Sequence, residues 1–423
     1  MSAPVATRPT AAAAGRRTER VAGGAGERWR RTWSGPHIGP FALGILLAGQ
    51  AACAVVLVLA LLARPLVVPG LVVLVSLGGL ALVGIKGRPL WRHLRLLRQY
   101  ANRTRAAAVF PRSQGFPTAE HEDLVPLLHL APDLTVRSVD GRSGGPAAVV
   151  CDGRGFTVVL AADRQPMVAR SQPLGVGLLA DLCDVDGCGF DSGQLLVTVT
   201  PARGAAAGVV PALVESYAEV NPTATPRSVD WVIALRKDPT RPRAGSARGL
   251  PGAGMDTPVA VRSAADRATK LLSAAGLHAR KLSHAETVRA LGASCQADRR
   301  RPRPERGRFA ESADGLAIDG LVHVTAWVRD LGEHPGGLTH LVDLLADLPV
   351  QAAVVSLVVT VTGQRRLRGS AYLRLAASTS EVAQSALSRL SDAADRAGLS
   401  VVPLTNEQSA GLRATVPLGG DVV

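Results

Sequence analysis

Residues 38–85 read IGPFALGILLAGQAACAVVLVLALLARPLVVPGLVVLVSLGGLALVGI, a run in which Arg64 is the only charge. About 20 apolar residues in a helix cross the roughly 30 Å hydrocarbon core of a bilayer. The run therefore predicts two transmembrane helices, residues 38–63 and 66–85, in a tight hairpin around Arg64-Pro65. One span followed by a re-entrant segment is the main alternative, and a buried hairpin in a soluble protein is another. A cleaved signal peptide is disfavoured because the run starts late and is too long.

Basic residues flank this hairpin on both sides. Residues 1–37 contain seven arginines and two glutamates, and residues 86–105 contain seven lysines or arginines and no acid. Because basic flanks stay in the cytoplasm, we expect a multi-pass protein of the inner (plasma) membrane with both termini cytoplasmic. These flanks account for most of the net charge of +14, and they are suited to bind anionic lipid. We assign this basic collar to Arg28, Arg30, Arg31, Arg64, Lys86, Arg88, Arg92, Arg95 and Arg98.

The chain after the hairpin alternates strand-like and helix-like patterns, which predicts an α+β cytoplasmic region. We expect strands at residues 135–139, 147–151, 156–161, 194–200, 228–236, 278–282, 321–328, 353–361, 370–376 and 399–403. We expect helices at residues 174–183, 210–220, 258–275, 283–295, 338–348, 380–397 and 406–412. Ser283 and Glu286 form a capping-box pattern at the start of one of these helices.

Composition changes along the chain predict its domain boundaries. The predicted segments are a disordered basic cytoplasmic tail (1–37), the transmembrane helical hairpin (38–85), a basic juxtamembrane helix and linker (86–120), a first α+β unit (121–296) with an insert at 238–254, a basic linker (297–315) and a second α+β unit (316–423).

The two α+β units resemble each other. LLADLCDVDGCGFDSGQLLVTVT (178–200) parallels LLADLPVQAAVVSLVVTVT (344–362), and residues 263–291 parallel residues 387–415. Each half predicts the order strand, helix, strand, strand, helix, strand and then a helix, which is the split β-α-β order. We therefore predict two degenerate ferredoxin-like (βαββαβ) units. A single mixed sheet built by both halves is the alternative.

Patterns that carry chemistry are few. The chain has no Walker A pattern and no G-x-S-x-G elbow, and its G-x-G fragments at 175–177 and 252–254 lack the third glycine. Cys183 and Cys188 lack the C-x-x-C spacing of a zinc site, and five cysteines without paired spacing agree with a reducing compartment. We expect no catalytic residue, no cofactor and no metal site.

The run RRRPRPERGR (299–308) is similar to a nucleic-acid or anionic-lipid patch. Arginine-rich linkers are commonly only solvated, and the membrane-flanking charge already explains the high net charge. No nucleic-acid partner is expected.

The arrangement resembles the EccE family of the actinobacterial type VII (ESX) secretion system. The resemblance rests on the basic tail, the tight hairpin, the GRPLW exit (87–91), the HVTAWV strand (323–328), residues 338–362 and the ending PLTNEQSAGLRATVPLG (403–419). That ending is similar to the family's L-x-G-x-Q … A-x-L-P-L-G close. Asn406 stands where a glycine is usual, and Val416 stands where a leucine is usual.

The resemblance implies a structural, non-catalytic subunit of an inner-membrane translocon with EccB-, EccC- and EccD-like partners. In that family the ATPase motor belongs to another subunit. The alternative from a different class is a membrane-anchored, transferase-like enzyme with a site between the two α+β units, for which Asp184 and Asp186 are the nearest acidic pair.

Overall fold

The computed structural model describes residues 37–38, 41–42, 84–85, 88–89, 98, 124–140, 147–163, 176–183, 189–201, 227–239, 257–295, 309–329, 331, 336–362 and 366–420. The chain divides into two compact units, residues 34–115 and a larger unit that contains residues 116–423. Most of the described residues belong to the larger unit.

The smaller unit contains two short antiparallel strand pairs, His37–Ile38 with Phe41–Ala42 and Gly84–Ile85 with Arg88–Pro89. The predicted helices are therefore wrong at these outer residues. The connecting dipeptides Gly39-Pro40 and Lys86-Gly87 contain residues that favour turns over continued helix. Within the described residues, no helix is long and apolar enough to cross a bilayer. The body of the two predicted spans, residues 43–83, lies outside the described residues.

Twelve strands of the larger unit form one sheet. They are β1 (Thr135–Val139), β2 (Ala147–Cys151), β3 (Phe156–Asp163), β4 (Ser192–Pro201), β5 (Arg227–Lys237), β6 (His278–Lys281), β7 (Phe309–Glu311), β8 (Leu316–Ile318), β9 (Leu321–Arg329), β10 (Ala352–Thr362), β11 (Arg366–Ala377) and β12 (Ser400–Pro403). The helices described are α1 (Val125–Leu128), α2 (Val176–Cys183), α3 (Thr257–Ala274), α4 (His284–Ser294), α5 (Gly337–Ala346), α6 (Ser380–Arg396) and α7 (Gln408–Ala414).

The sheet runs in the order β7-β8-β9-β11-β10-β4-β5-β3-β2-β1, with β6 also paired to β3 and β12 also paired to β9. The predicted α+β class is confirmed. In the first half the strands follow the order β6-β3-β5-β4, and in the second half they follow the equivalent order β12-β9-β11-β10. The halves share one sheet because β4 pairs with β10. The alternative prediction of one sheet was therefore right on this point, although every described pairing is antiparallel rather than mixed.

Both faces of this sheet are covered. One face packs against α2, α3, α5 and α6, and it contributes alternate residues such as Val197 of β4 and Val355 of β10 to the main core. The opposite face, which we call the second face, packs against α1, α4 and α7. Burial on both faces explains the nearly continuous apolar sequence AAVVSLVVTVT of β10.

The predicted capping box at α4 is confirmed. The Ser283 hydroxyl accepts a hydrogen bond from Glu286 N (3.4 Å), and Glu286 Oε2 accepts one from Ser283 N (2.9 Å). Hydrogen bonds from the Ser283 backbone and hydroxyl, with help from Arg280, lower the pKa of Glu286 to about 2. The carboxylate therefore stays ionised and fixes the start of the helix.

The predicted linker at residues 297–315 is wrong at its end, because Phe309–Glu311 forms β7 and pairs with β8. Phe309 packs against the core of the second face, and its ring stacks on His129 at 5.1 Å. This tertiary contact outweighs the polar, proline-rich local sequence. The predicted helix 210–220 and most of the predicted insert 238–254 lie outside the described residues.

Two helical glycines make a matched test of this packing. A β-carbon at Gly411 of α7 would lie 2.6 Å from Cβ and Cγ2 of Thr325, whereas one at Gly177 of α2 meets nothing within 4 Å. Gly411→Ala is expected to lower the free energy of unfolding by about 2 kcal/mol, since the helix must move off β9. Gly177→Ala is expected to raise it by about 0.5 kcal/mol. Equal effects in denaturant unfolding would contradict the close contact of α7 with β9.

Candidate functional site

The two halves meet where β4 pairs with β10, and a buried glutamine marks this junction on the second face. Gln194 Nε2 donates to Ser356 Oγ (2.9 Å) and to the Ala414 carbonyl (2.8 Å), and its Oε1 accepts from Gly419 N (2.8 Å). The amide thus joins both central strands to residues 404–419, which we call the closing segment. This segment lies where the transferase-like alternative would need an active site between the halves.

The closing segment belongs to the second half, but its end binds the first half. Thr157 Oγ1 donates to the Leu418 carbonyl (3.0 Å), as does Arg236 Nη1 (3.2 Å), and Ser192 Oγ donates to the Gly419 carbonyl. Gly419 has φ +65°, and a β-carbon there would lie 2.7 Å from Cβ of Arg236. Glycine is therefore required by both backbone conformation and space.

The start of the closing segment is fixed on the second half. Gln408 Oε1 accepts from Thr325 N (2.8 Å), and Gln408 Nε2 donates to the Leu404 carbonyl (2.9 Å). Asn406 has φ +64°, the left-handed region that glycine and, less often, asparagine adopt. This is the position where the resemblance expects glycine, so asparagine satisfies the same backbone requirement.

A buried carboxylate links the closing segment to the first half by charge. The side chain of Asp152 is 1% exposed and forms a bidentate ion pair with Arg236, with both contacts at 2.9 Å. It also forms a single-contact ion pair with Arg413 Nη2 at 2.7 Å. It also accepts from the backbone N–H groups of Arg154 and Gly155. Burial raises the pKa of Asp152, but the hydrogen bond and charge of Arg236 and the other donors outweigh burial and lower the pKa overall. The carboxylate is therefore ionised at neutral pH.

Arg374 of β11 is fully buried, and within the described part of the chain its hydrogen bonds go to helix ends and a histidine rather than to a carboxylate. Its Nη2 donates to the carbonyls of Ser294 and Thr415 (3.4 Å for the second), and its Nη1 lies 3.2 Å from His323 Nδ1. Ser294 ends α4 and Thr415 is the C-cap of α7. The guanidinium thus caps two helix C-termini, where unpaired carbonyls and the helix dipole favour a cation.

The groups around Arg374 are held in defined protonation states. Burial lowers the pKa of Arg374 to about 10, so it remains charged at neutral pH. Burial, together with the charge of Arg374, holds the pKa of His323 well below its usual value, and the imidazole stays neutral. Burial raises the pKa of the Cys295 thiol to about 12. A protonated, fully buried thiol is not a nucleophile, so this cluster is built for structure.

The neutral His323 predicts acid sensitivity. The unfolded chain binds a proton on this histidine below about pH 6.5, whereas the folded chain does not, so folding stability falls as the pH drops. The loss approaches about 1.4 kcal/mol per pH unit. His129, whose pKa is lowered by burial against the opposing charge of Asp319, adds to the loss with the same sign.

His323→Gln is therefore expected to reduce the slope of unfolding free energy between about pH 5 and pH 7. His340→Gln, on the exposed face of α5, is the control and is expected to leave the slope unchanged. Denaturant titrations at a series of pH values measure both slopes. Parallel slopes for the two variants would show that His323 is not the group responsible.

A cleft of about 480 Å³ opens on the first half between α4 and strands β3, β5 and β6. Its lining includes the small side chains Ala161 and Ala290, and Trp231 lies beside them. In its wall Arg280 Nη1 and Glu286 Oε1 form an ion pair at 2.8 Å. The volume is in the range of small-molecule sites, but these two wall charges already neutralise each other.

The structure describes two of the nine predicted collar residues. Arg88 lies in the strand Arg88–Pro89, and Arg98 is exposed. The others lie outside the described residues: Arg28, Arg30, Arg31, Arg64, Lys86, Arg92 and Arg95. The collar therefore stays a prediction, and so does any role of Asp184 and Asp186, which also lie outside the described residues.

Cys188 lies outside the described residues, and Cys183, His278 and His284 lie on separate elements. Cys183 is buried at the end of α2, His278 is exposed on β6 and His284 begins α4. In the part of the chain that the structure describes, no three His, Cys, Asp or Glu residues are grouped so as to hold a metal ion.

Sequence reasoning missed the residues that organise the junction, Asp152, Gln194, Arg236 and Arg374. A usable signal was present for two of them. Gln194 and Arg374 are polar residues that precede or interrupt an apolar stretch of their strands, as in GQLLV and YLRLAA. In a sheet covered on both faces, such a residue must find buried hydrogen-bond partners.

No protein-family model matches this chain, and no curated protein matches it either.

Proposed function

We propose that the protein is a structural, non-catalytic subunit of an inner-membrane type VII (ESX) secretion translocon. Residues 38–85 anchor it, and the α+β region docks onto neighbouring subunits. The observation that supports the proposal is the position of residues 403–419 at the junction of the two halves, because this ending belongs to the C-terminal part in which the resemblance to the EccE family is best. Asn406 and Gln408 belong to the part of this ending that is fixed on the second half, and Gly419 binds Gln194 of the first half.

The proposal includes a finer statement about the fold. The two halves are degenerate copies of one ferredoxin-like unit, fused edge to edge through β4 and β10. The equivalent strand orders of the halves support this statement. The sheet then ends at β1 on one side and at β7 on the other, each paired with one neighbour within the described strands. Such edge strands offer backbone groups to a partner strand.

The partners in this proposal are EccB-, EccC- and EccD-like subunits, and the collar binds anionic lipid. The ATPase motor lies in a partner subunit. Nucleic acid is not a partner in this scheme, since most of the excess positive charge flanks the apolar run.

A pull-down in mild detergent tests the proposal. The tagged full-length protein is expected to bring down a multi-span membrane protein and an FtsK-like ATPase from its native membrane. Arg374→Ala, which disrupts the α+β region, is expected to stay in the membrane fraction but lose the partners that dock there. Arg389→Ala, at an exposed position of α6, is the control and should retain them. If the wild-type protein migrates alone, the translocon proposal fails.

The predicted topology has its own test. A reporter that is active only in the cytoplasm, fused after Val423, is expected to be active, because two spans return the chain to its starting side. A reporter that requires export is expected to be inactive at the same position. The reverse pattern would contradict the predicted cytoplasmic position of the C-terminus.

A further inference from the structure

A cluster of cationic and hydroxyl side chains lies on the second face at one end of the second half. We call Trp327, Arg329, Thr360 and Arg368 the arginine patch. Trp327 and Arg329 are two residues apart on β9, so they share a face. Thr360 of β10 lies directly opposite Arg368 of β11, and side chains of such a pair point to the same side. The pairing of Val328 with Ala371 brings the end of β9 beside the start of β11.

The two arginines are available for binding. The guanidinium carbon of Arg329 lies 4.9 Å from the centroid of the Trp327 ring, so stacking restricts its orientation. Arg368 is exposed. Among the residues that the structure describes, neither arginine is paired with a carboxylate. An oriented but unpaired guanidinium keeps its fork of N–H donors free for an anion.

Two polar atoms of the patch also lack partners. Arg329 Nε and Thr360 Oγ1 are buried and make no hydrogen bond in the described part of the chain. Buried groups of this kind are usually satisfied. They indicate that the patch is completed by a further acceptor, directly or through water.

The fold itself does not require arginine at these positions. In the first half Asp163, the last residue of β3, lies opposite the first residue of β6. In the second half Arg329, the last residue of β9, lies opposite the first residue of β12 in the same way. By the same register, Ser228 of β5 is the counterpart of Arg368. The first half thus builds the same strands with an acid and a hydroxyl. Of the two halves, only the second has arginine at both of these positions.

We propose that the arginine patch binds a phosphate group. Two guanidinium forks and a hydroxyl supply more donors than the two oxygens of a carboxylate accept, and they match the several oxygens of a phosphoryl group. The phosphate comes either from a soluble phosphate ester or from the head group of an anionic lipid. The inference does not depend on the proposed secretion function.

The experiment uses the full-length protein in nanodiscs of uncharged phosphatidylcholine. Pyrophosphate is titrated, and binding is followed by tryptophan fluorescence, with Trp327→Phe removing the local signal, and by hydrogen exchange of residues 324–329 and 366–372. Arg329→Gln with Arg368→Gln is expected to weaken binding by about tenfold or more. The double lysine variant keeps the charge but loses the forks, so it is expected to bind with intermediate affinity.

The matched control changes the same number of charges elsewhere. Arg267→Gln with Arg389→Gln, at exposed positions of α3 and α6, is expected to bind within about twofold of the wild type. A second arm replaces part of the phosphatidylcholine with phosphatidylglycerol and omits pyrophosphate. The site is assigned to lipid head groups if hydrogen exchange of the two strand segments slows only in the discs that contain phosphatidylglycerol, and if this protection is lost in the double glutamine variant.

Binding of pyrophosphate in uncharged discs that requires the two arginines assigns the site to soluble phosphates. The proposal is overturned if neither arm shows binding, or if the double glutamine variant and its matched control behave alike. Thermal unfolding of both double variants is measured first, and the lysine variant supplies the comparison if the glutamine variant is less stable.

Discussion

Arg374→Ala is expected to lower the free energy of unfolding by about 4 kcal/mol, the largest effect of a single substitution in the second half. The substitution leaves the buried carbonyl of Thr415 and the partly buried carbonyl of Ser294 without their cationic donor. It also empties the volume of a fully buried arginine side chain. Since these carbonyls end α4 and α7, the loss loosens the contact between both halves and the closing segment.

Denaturant unfolding of the full-length protein in mild detergent, followed by tryptophan fluorescence, measures this effect. Arg368→Ala is the matched control, because it removes the same residue type from the same strand at an exposed position. It is expected to change stability by less than about 0.5 kcal/mol. Similar losses for the two variants would contradict the capping role of Arg374.

Asp152→Ala is expected to lower the free energy of unfolding by about 3 kcal/mol. The buried carboxylate pairs with Arg236 and Arg413, and its removal leaves two partly buried guanidinium groups facing each other. Because the pKa of Asp152 is lower in the folded chain, its contribution is present above the ordinary carboxyl pKa and is lost as the pH falls below it.

A double-mutant cycle with Arg413→Ala isolates the pair that reaches the closing segment. The double variant is expected to be about 1–2 kcal/mol more stable than the sum of the single losses predicts. Asp140→Ala, at an exposed position, is the control and is expected to have little effect. Strict additivity of the two substitutions would show that Asp152 and Arg413 do not stabilise each other.

Much of the fold follows from local sequence. The apolar runs of β4 and β10 and the capping box at Ser283 each predict an element that the structure contains. Local pattern failed at Phe309–Glu311, where the chain is polar and proline-rich. There a pairing with β8 and a ring contact with His129 make a strand that the local sequence disfavours.

The repeat in the sequence predicted more of the fold than any single motif did. The resemblance of residues 178–200 to residues 344–362 aligns α2 and β4 with α5 and β10. It did not predict that these two strands, β4 and β10, would pair with each other. Two such units can exist as separate domains or share an edge, and the choice depends on burial of that edge by the other half.

The sequence by itself determined the order of most strands and helices, the apolar run of residues 38–85 and its basic flanks, because period, turn residues and charge are local properties. Only the tertiary structure decided which polar residues meet. Asp152 and Arg413 are 261 positions apart, and Arg374 and Ser294 are 80 apart. Contacts at such separations arise when a whole sheet and its second face assemble and bury charges that must find partners.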